Sequence, residues 1–128
     1  MESYGAPVPS LIKHGDIEMK EFPVTTKDFM GKKIIFSGGG YFRLCPYSLI
    51  KKWSKENPEY LLSYIHPRDL DGGQPMLEGL PLKRKFKSYV GTKTAAKKLE
   101  KYLTDFQFID VKTAAENICW EKAPVVKL

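Results

Sequence analysis

Residues 59–67 read EYLLSYIHP, a continuous apolar run of strand length that ends in a histidine and a proline. Tyr60, Tyr64 and Ile65 are β-formers. Hydrophobicity that is continuous instead of alternating fits a strand buried on both faces. Such a strand belongs in a parallel sheet covered by helices, so the flanking sequence must supply both.

In outline it does. IEMKEFPV (17–24) alternates apolar and charged residues before Pro23, which predicts a strand ending near Phe22. KKIIF (32–36) is a second short strand candidate, running straight into three glycines. YSLIKKWSKEN (47–57) sets Leu49, Ile50 and Trp53 on one face, with Pro46 in the first turn and Pro58 as a stop, so a helix is expected. Further on, Thr92 or Thr94 would cap a helix in which Ala95, Leu99, Tyr102, Leu103 and Phe106 recur at helical spacing. QFIDV (107–111) reads as a last strand, and KTAAENI opens a last short helix. Residues 67–91 read as irregular, with a turn at DLDGGQP and one short helix within LPLKRKFKSYVG. Strand, helix, strand, helix, strand is an α/β pattern with parallel pairing. The expected organisation is a single domain, with an irregular lead-in over 1–16, a core over 17–116 and a tail over 117–128.

Composition narrows the function. A chain of 128 residues, 42% hydrophobic, holds one core, and seven Phe, seven Tyr and two Trp argue against disorder. The net charge of +6 raises nucleic acid as a partner. The basic residues are interleaved with acids, as in KKLEKYLTDF, which is the pattern of a solvated helix face, so nucleic-acid binding is disfavoured. No run approaches the ~18 apolar residues of a membrane span. MESYGAPVPS has neither a basic nor an apolar leader region, so no secretory signal is read. Cys45 and Cys119, without a CxxC pairing, fit a reducing compartment, with the cytoplasm as default.

Few residues can carry chemistry. His66 ends the apolar run, where parallel α/β folds place catalytic groups; a satisfied core or capping histidine before a proline turn fits equally. Asp69 and Asp71 lie close enough in sequence to orient its imidazole. His14 reads as a solvated loop histidine. Two histidines and two isolated cysteines, with no HxxxH, do not make a metal site, and SGGG matches neither nucleotide-phosphate motif. Glu21 ends a strand, where an exposed edge charge is the plain alternative to a ligand contact. Arg43 could hold a carboxylate or a sugar oxygen, or pair with an acid.

In order and spacing, EFPVTT, SGGGYFRLCPYSLI, YIHPRDLD and LPLKRKFKSYVG resemble the C-terminal portion of NodB-type polysaccharide deacetylases. They look most like the segment that follows the deacetylase domain in exopolysaccharide-associated members. The likeness runs from about residue 4 to 116, with Arg68 standing where an aromatic is more usual. It implies a partial (β/α) barrel, the C-terminal half, and hydrolysis of N- or O-acetyl groups on sugars. It maps the family's general acid onto His66. The family's divalent metal, such as zinc, and its Asp and His-x-x-x-His ligands would lie in a preceding half, so no cofactor is expected in this chain and the chain alone would be inactive. Carbohydrate is then the expected partner. Gly39 and Gly40 would let the backbone approach a sugar, Tyr41 would stack on it, and Arg43 and Glu21 would bind its oxygens. Tyr41 and Phe42 as core plugs under a tight turn remain the alternative. Half a barrel leaves open edges, so self-association is expected. A non-enzymatic module binding carbohydrate or a polyanion is the other functional reading.

Overall fold

The computed structural model describes residues 7–57 and 59–128. It is a mixed α/β protein. Five strands are β1 (Ser10–His14), β2 (Ile17–Glu21), β3 (Lys27–Phe29), β4 (Lys32–Ile34) and β5 (Val125–Lys127). Six helices are α1 (Gly39–Leu44), α2 (Tyr47–Lys55), α3 (Pro67–Leu70), α4 (Leu82–Tyr89), α5 (Thr92–Asp105) and α6 (Val111–Asn117). A 3₁₀ turn covers Trp120–Lys122. The described residues fall into two compact units, one made of 7–24 with 108–128 and one of 25–57 with 59–107.

The first unit is a three-stranded sheet in the order β2-β1-β5. β1 runs antiparallel to β2, with Ser10 opposite Glu21, and parallel to β5, with Leu11 opposite Val125. β1 therefore lies where an irregular lead-in is expected, and β5 within the expected tail. The reason is pairing: β1 is the central strand, and Ser10 and Leu11 are buried. Residues 1–6 of the lead-in lie outside the described residues. Phe22 packs edge-on against Trp120, whose indole N–H donates to Ala115 O at 2.7 Å. QFIDV is not a strand. Residues 107–110 lack regular structure, because the Asp110 carboxylate accepts from the Thr113 N–H and commits the chain to α6. Those bonds hold the Asp110 carboxyl below the usual carboxylate range. His14 is exposed at the end of β1, its Nδ1 3.1 Å from Leu128 O.

The second unit is mainly helical. α2 forms where apolar spacing and Pro46 place it, burying Ile50 and Trp53; its expected stop, Pro58, lies outside the described residues. α5 presents Ala95 and Tyr102 to the same core, while Leu103 faces out. Tyr102 meets the rings of Phe42, Tyr47 and Phe106, and its hydroxyl lies 2.7 Å from Ser54 Oγ, so its one polar atom is satisfied in the apolar interior. Trp53 packs edge-on against Phe36 and against Phe29 of the β3–β4 hairpin. The α5 cap differs from expectation. Gly91 occupies it with φ 71°, and the Thr92 and Thr94 hydroxyls donate back to Tyr89 O and Gly91 O.

The apolar run at 60–65 is extended without being a sheet strand. It makes one parallel bridge, Gly38 to Tyr64, and side chains take the bonds a ladder would make. Ser37 Oγ donates to Leu62 O, Ser63 Oγ donates to Ser37 O, and Leu62 N–H donates to Thr25 Oγ1. Its side chains are half-buried or exposed, so the run lacks the cover its hydrophobicity suggests. Among the described residues of this unit, parallel pairing is thus reduced to the single Gly38–Tyr64 bridge, with α1 and α2 between the two residues.

Candidate functional site

The three glycines differ in purpose. A Cβ on Gly38 would lie 2.0 Å from Tyr64 O, so only glycine lets the two backbone segments meet. Gly39 has φ 56°, the left-handed region, and its N–H donates to Tyr64 O at 3.1 Å. Gly40 is exposed; a Cβ there would touch only Arg43 Nη2, at an ordinary 3.7 Å. The expected glycine loop is in fact the start of α1. Helical geometry then separates the residues that follow: Phe42 is buried in the aromatic core, while Tyr41 is 43% exposed. Of the two core plugs considered, one is a plug and the other is a surface ring.

Arg43 is buried beside Phe42. Its Nη1 donates to Ser88 O and Val90 O, and its Nη2 donates to Lys87 O, at 2.9–3.1 Å. These are the last carbonyls of α4, where a cation is favoured by the helix dipole. Nε lies 3.0 Å from Asp69 Oδ1 as an ion pair, although the Nε–H is not aligned for a hydrogen bond. The other carboxylate oxygen, Oδ2, accepts from the His66 N–H at 3.1 Å. Asp69 therefore ties the end of α1 to the start of α3, and His66 occupies the α3 N-cap. The capping role belongs to the His66 backbone; its imidazole is exposed, edge-on to the Tyr64 ring at 4.6 Å. Lys98 secures the same C-terminal end of α1 by donating to Phe42 O, Arg43 O and Cys45 O. Burial pushes the Lys98 ammonium below its ordinary range, and burial likewise pushes the Cys45 thiol up against the opposing Lys98 charge.

His66, Gly39, Gly40, Tyr41 and Arg43 all line one open cleft of about 530 Å³. Glu21 is not among its residues; it belongs to the sheet unit, where its Oε2 accepts from Ser10 Oγ at 3.2 Å. The cleft also contains Tyr64, Arg68, Arg84 and Lys87, none of which stood out as site residues in the sequence. Two signals were present. Tyr64 and His66 are two apart in an extended segment and so share a face. Arg84 and Lys87 are three apart on a helix and so do the same. A second groove of about 480 Å³, with Leu44, Phe86 and Val90, shares Gly40, Tyr41 and Lys87 with the cleft.

The donor set does not suit a divalent cation. Among the described residues no three His, Cys, Asp or Glu side chains group to hold one, and His66 shares its cleft with three exposed cations. Chemically, the site offers an exposed imidazole, two exposed phenol rings and concentrated positive charge.

The model of the domain of unknown function DUF3473 matches residues 3–116, and the chain belongs to this family. Comparison with the curated proteins and with the solved structures gave no match. Among the described residues no helix is long and apolar enough to cross a membrane.

Proposed function

We propose that this chain is the C-terminal part of a sugar deacetylase of the NodB type, holding carbohydrate in the cleft and supplying His66 as the proton donor. One observation carries the reading: five residues that the resemblance assigns to the sugar cleft or the general acid line a single open cleft, with the His66 imidazole exposed in it. Tyr41 and Tyr64, 43% and 51% exposed, offer rings for the apolar faces of sugars. In amide hydrolysis the departing nitrogen must gain a proton as the C–N bond breaks, and an imidazolium is suited to give it near neutral pH. His66 Nδ1 or Nε2 would give that proton while Asp69 holds the adjacent backbone in place. Arg43 then acts as a positioning residue, since its guanidinium is engaged with the fold itself.

The partial-barrel reading is supported by the bridged parallel segments with two helices between them. That something further completes the fold, another part of a longer polypeptide or a second copy, is supported by exposed Ile17, Met19, Leu82 and Phe86. The test is deacetylation of N-acetylated oligosaccharides by a polypeptide joining this chain to a NodB-type catalytic segment. His66→Ala should lower kcat by ~10²–10⁴-fold with KM little changed. An unchanged kcat would return His66 to a purely structural role.

A further inference from the structure

The cleft carries more positive charge than the removal of an acetyl group from a neutral sugar requires. Arg68, Arg84 and Lys87 line it, all three are exposed, and none is in an ion pair with a described residue. The only carboxylate among the lining residues, Asp69, is taken up by Arg43 and the His66 N–H. The inner Arg43–Asp69 pair is neutral as a unit, so the three outer cations are uncompensated. A concave surface lined by one sign of charge focuses its field and raises the local concentration of the opposite ion. Such self-repulsion is tolerated where a ligand relieves it. Elsewhere Lys13 pairs with Glu18, Lys27 with Glu56 and Lys51 with Asp105, whereas Lys32, Lys33 and Lys97 are in no ion pair with a described residue, so it is the convergence of three cations on one concave surface that sets the cleft apart.

We infer that the cleft selects saccharides bearing an anionic substituent, such as a uronic carboxylate, which Arg84, Lys87 and Arg68 bind while Tyr41 and Tyr64 hold the sugar rings. This rests on the carbohydrate reading of the same cleft and adds the substrate class. Guanidinium groups favour such a substituent because their planar donors match both carboxylate oxygens. A nucleic acid would present its charge as a repeated backbone needing a track of cations. Here the three cations line one open cleft of about 530 Å³, which fits a single anionic group beside stacked sugars.

Calorimetric titration of the whole chain would compare a hyaluronan tetrasaccharide, which bears carboxylates and N-acetyl groups, with its carboxyl-reduced neutral counterpart. The charged form should bind on the order of tenfold more tightly at low salt, in line with charge-assisted hydrogen bonds. That gap should close in 0.5 M salt and in the Arg84→Gln/Lys87→Gln variant, whose thermal melt should match the parent because both side chains are exposed without partners. Equal binding of the two oligosaccharides would overturn the charge selection and leave the carbohydrate reading standing. Binding of neither would overturn both. A persistent gap in the double variant would overturn the assignment to these cations, and tighter binding of oligo-dT than of hyaluronan would replace the glycan with nucleic acid.

Discussion

Arg43 and Arg84 line the same cleft and live in opposite surroundings. Arg43 is buried, gives three hydrogen bonds to carbonyls at the end of α4 and its C-cap Val90, and pairs with Asp69. Arg84 is exposed and makes no ion pair or side-chain hydrogen bond with a described residue. A buried guanidinium must be satisfied internally, and one so satisfied has little left for a ligand. An exposed unpaired one contributes almost nothing to stability and remains available. The inner layer of the cleft thus builds the site and the outer layer leaves its charge open to solvent, although both use the same residue type.

The largest expected effect tests the inner layer. Arg43→Ala strips Asp69 of its counter-charge and three carbonyls of their donor, and should cost about 3–5 kcal/mol of folding stability in urea denaturation. A loss within about 0.5 kcal/mol would erase the distinction between the layers, because surface substitutions cost no more than that.

Smaller effects come from neighbouring glycines. Gly38→Ala would drive a methyl group into Tyr64 O and should cost about 1–3 kcal/mol. Gly40→Ala meets no obstacle inside a helix and should stabilise by roughly 0.5–1 kcal/mol. It should nonetheless weaken oligosaccharide binding by narrowing the cleft. If the two variants melted alike, the glycines would be serving one common purpose.

The sequence is legible where local physics decides. α2 sits where its apolar spacing and Pro46 put it, α4 forms within the stretch read as a short helix, and α6 starts one residue before its expected stretch, at Val111. Legibility fails where the partner is distant. The hydrophobicity of 60–65 cannot say that its backbone bonds will go to Ser37 and Thr25 in place of neighbouring strands. In KRKFK, helical spacing shows that Arg84 and Lys87 share a side and leaves open what that side meets. The role of Asp69 depends on Arg43, 26 positions away, a pairing that only the fold creates. His66 is half legible: it takes the capping position that one reading gave it, but with its backbone, while its ring is exposed.

The central claim is that the cleft around His66 holds saccharide, and NMR titration of the isotopically labelled chain with hyaluronan tetrasaccharide tests it most directly. Saturable shifts are expected at the amides of 38–41, 64–66, 68 and 84–88 and at the Tyr41, Tyr64 and His66 rings, with the core amides of Phe42 and Tyr102 nearly still. Shifts confined to other surfaces, or none at millimolar ligand, would contradict it.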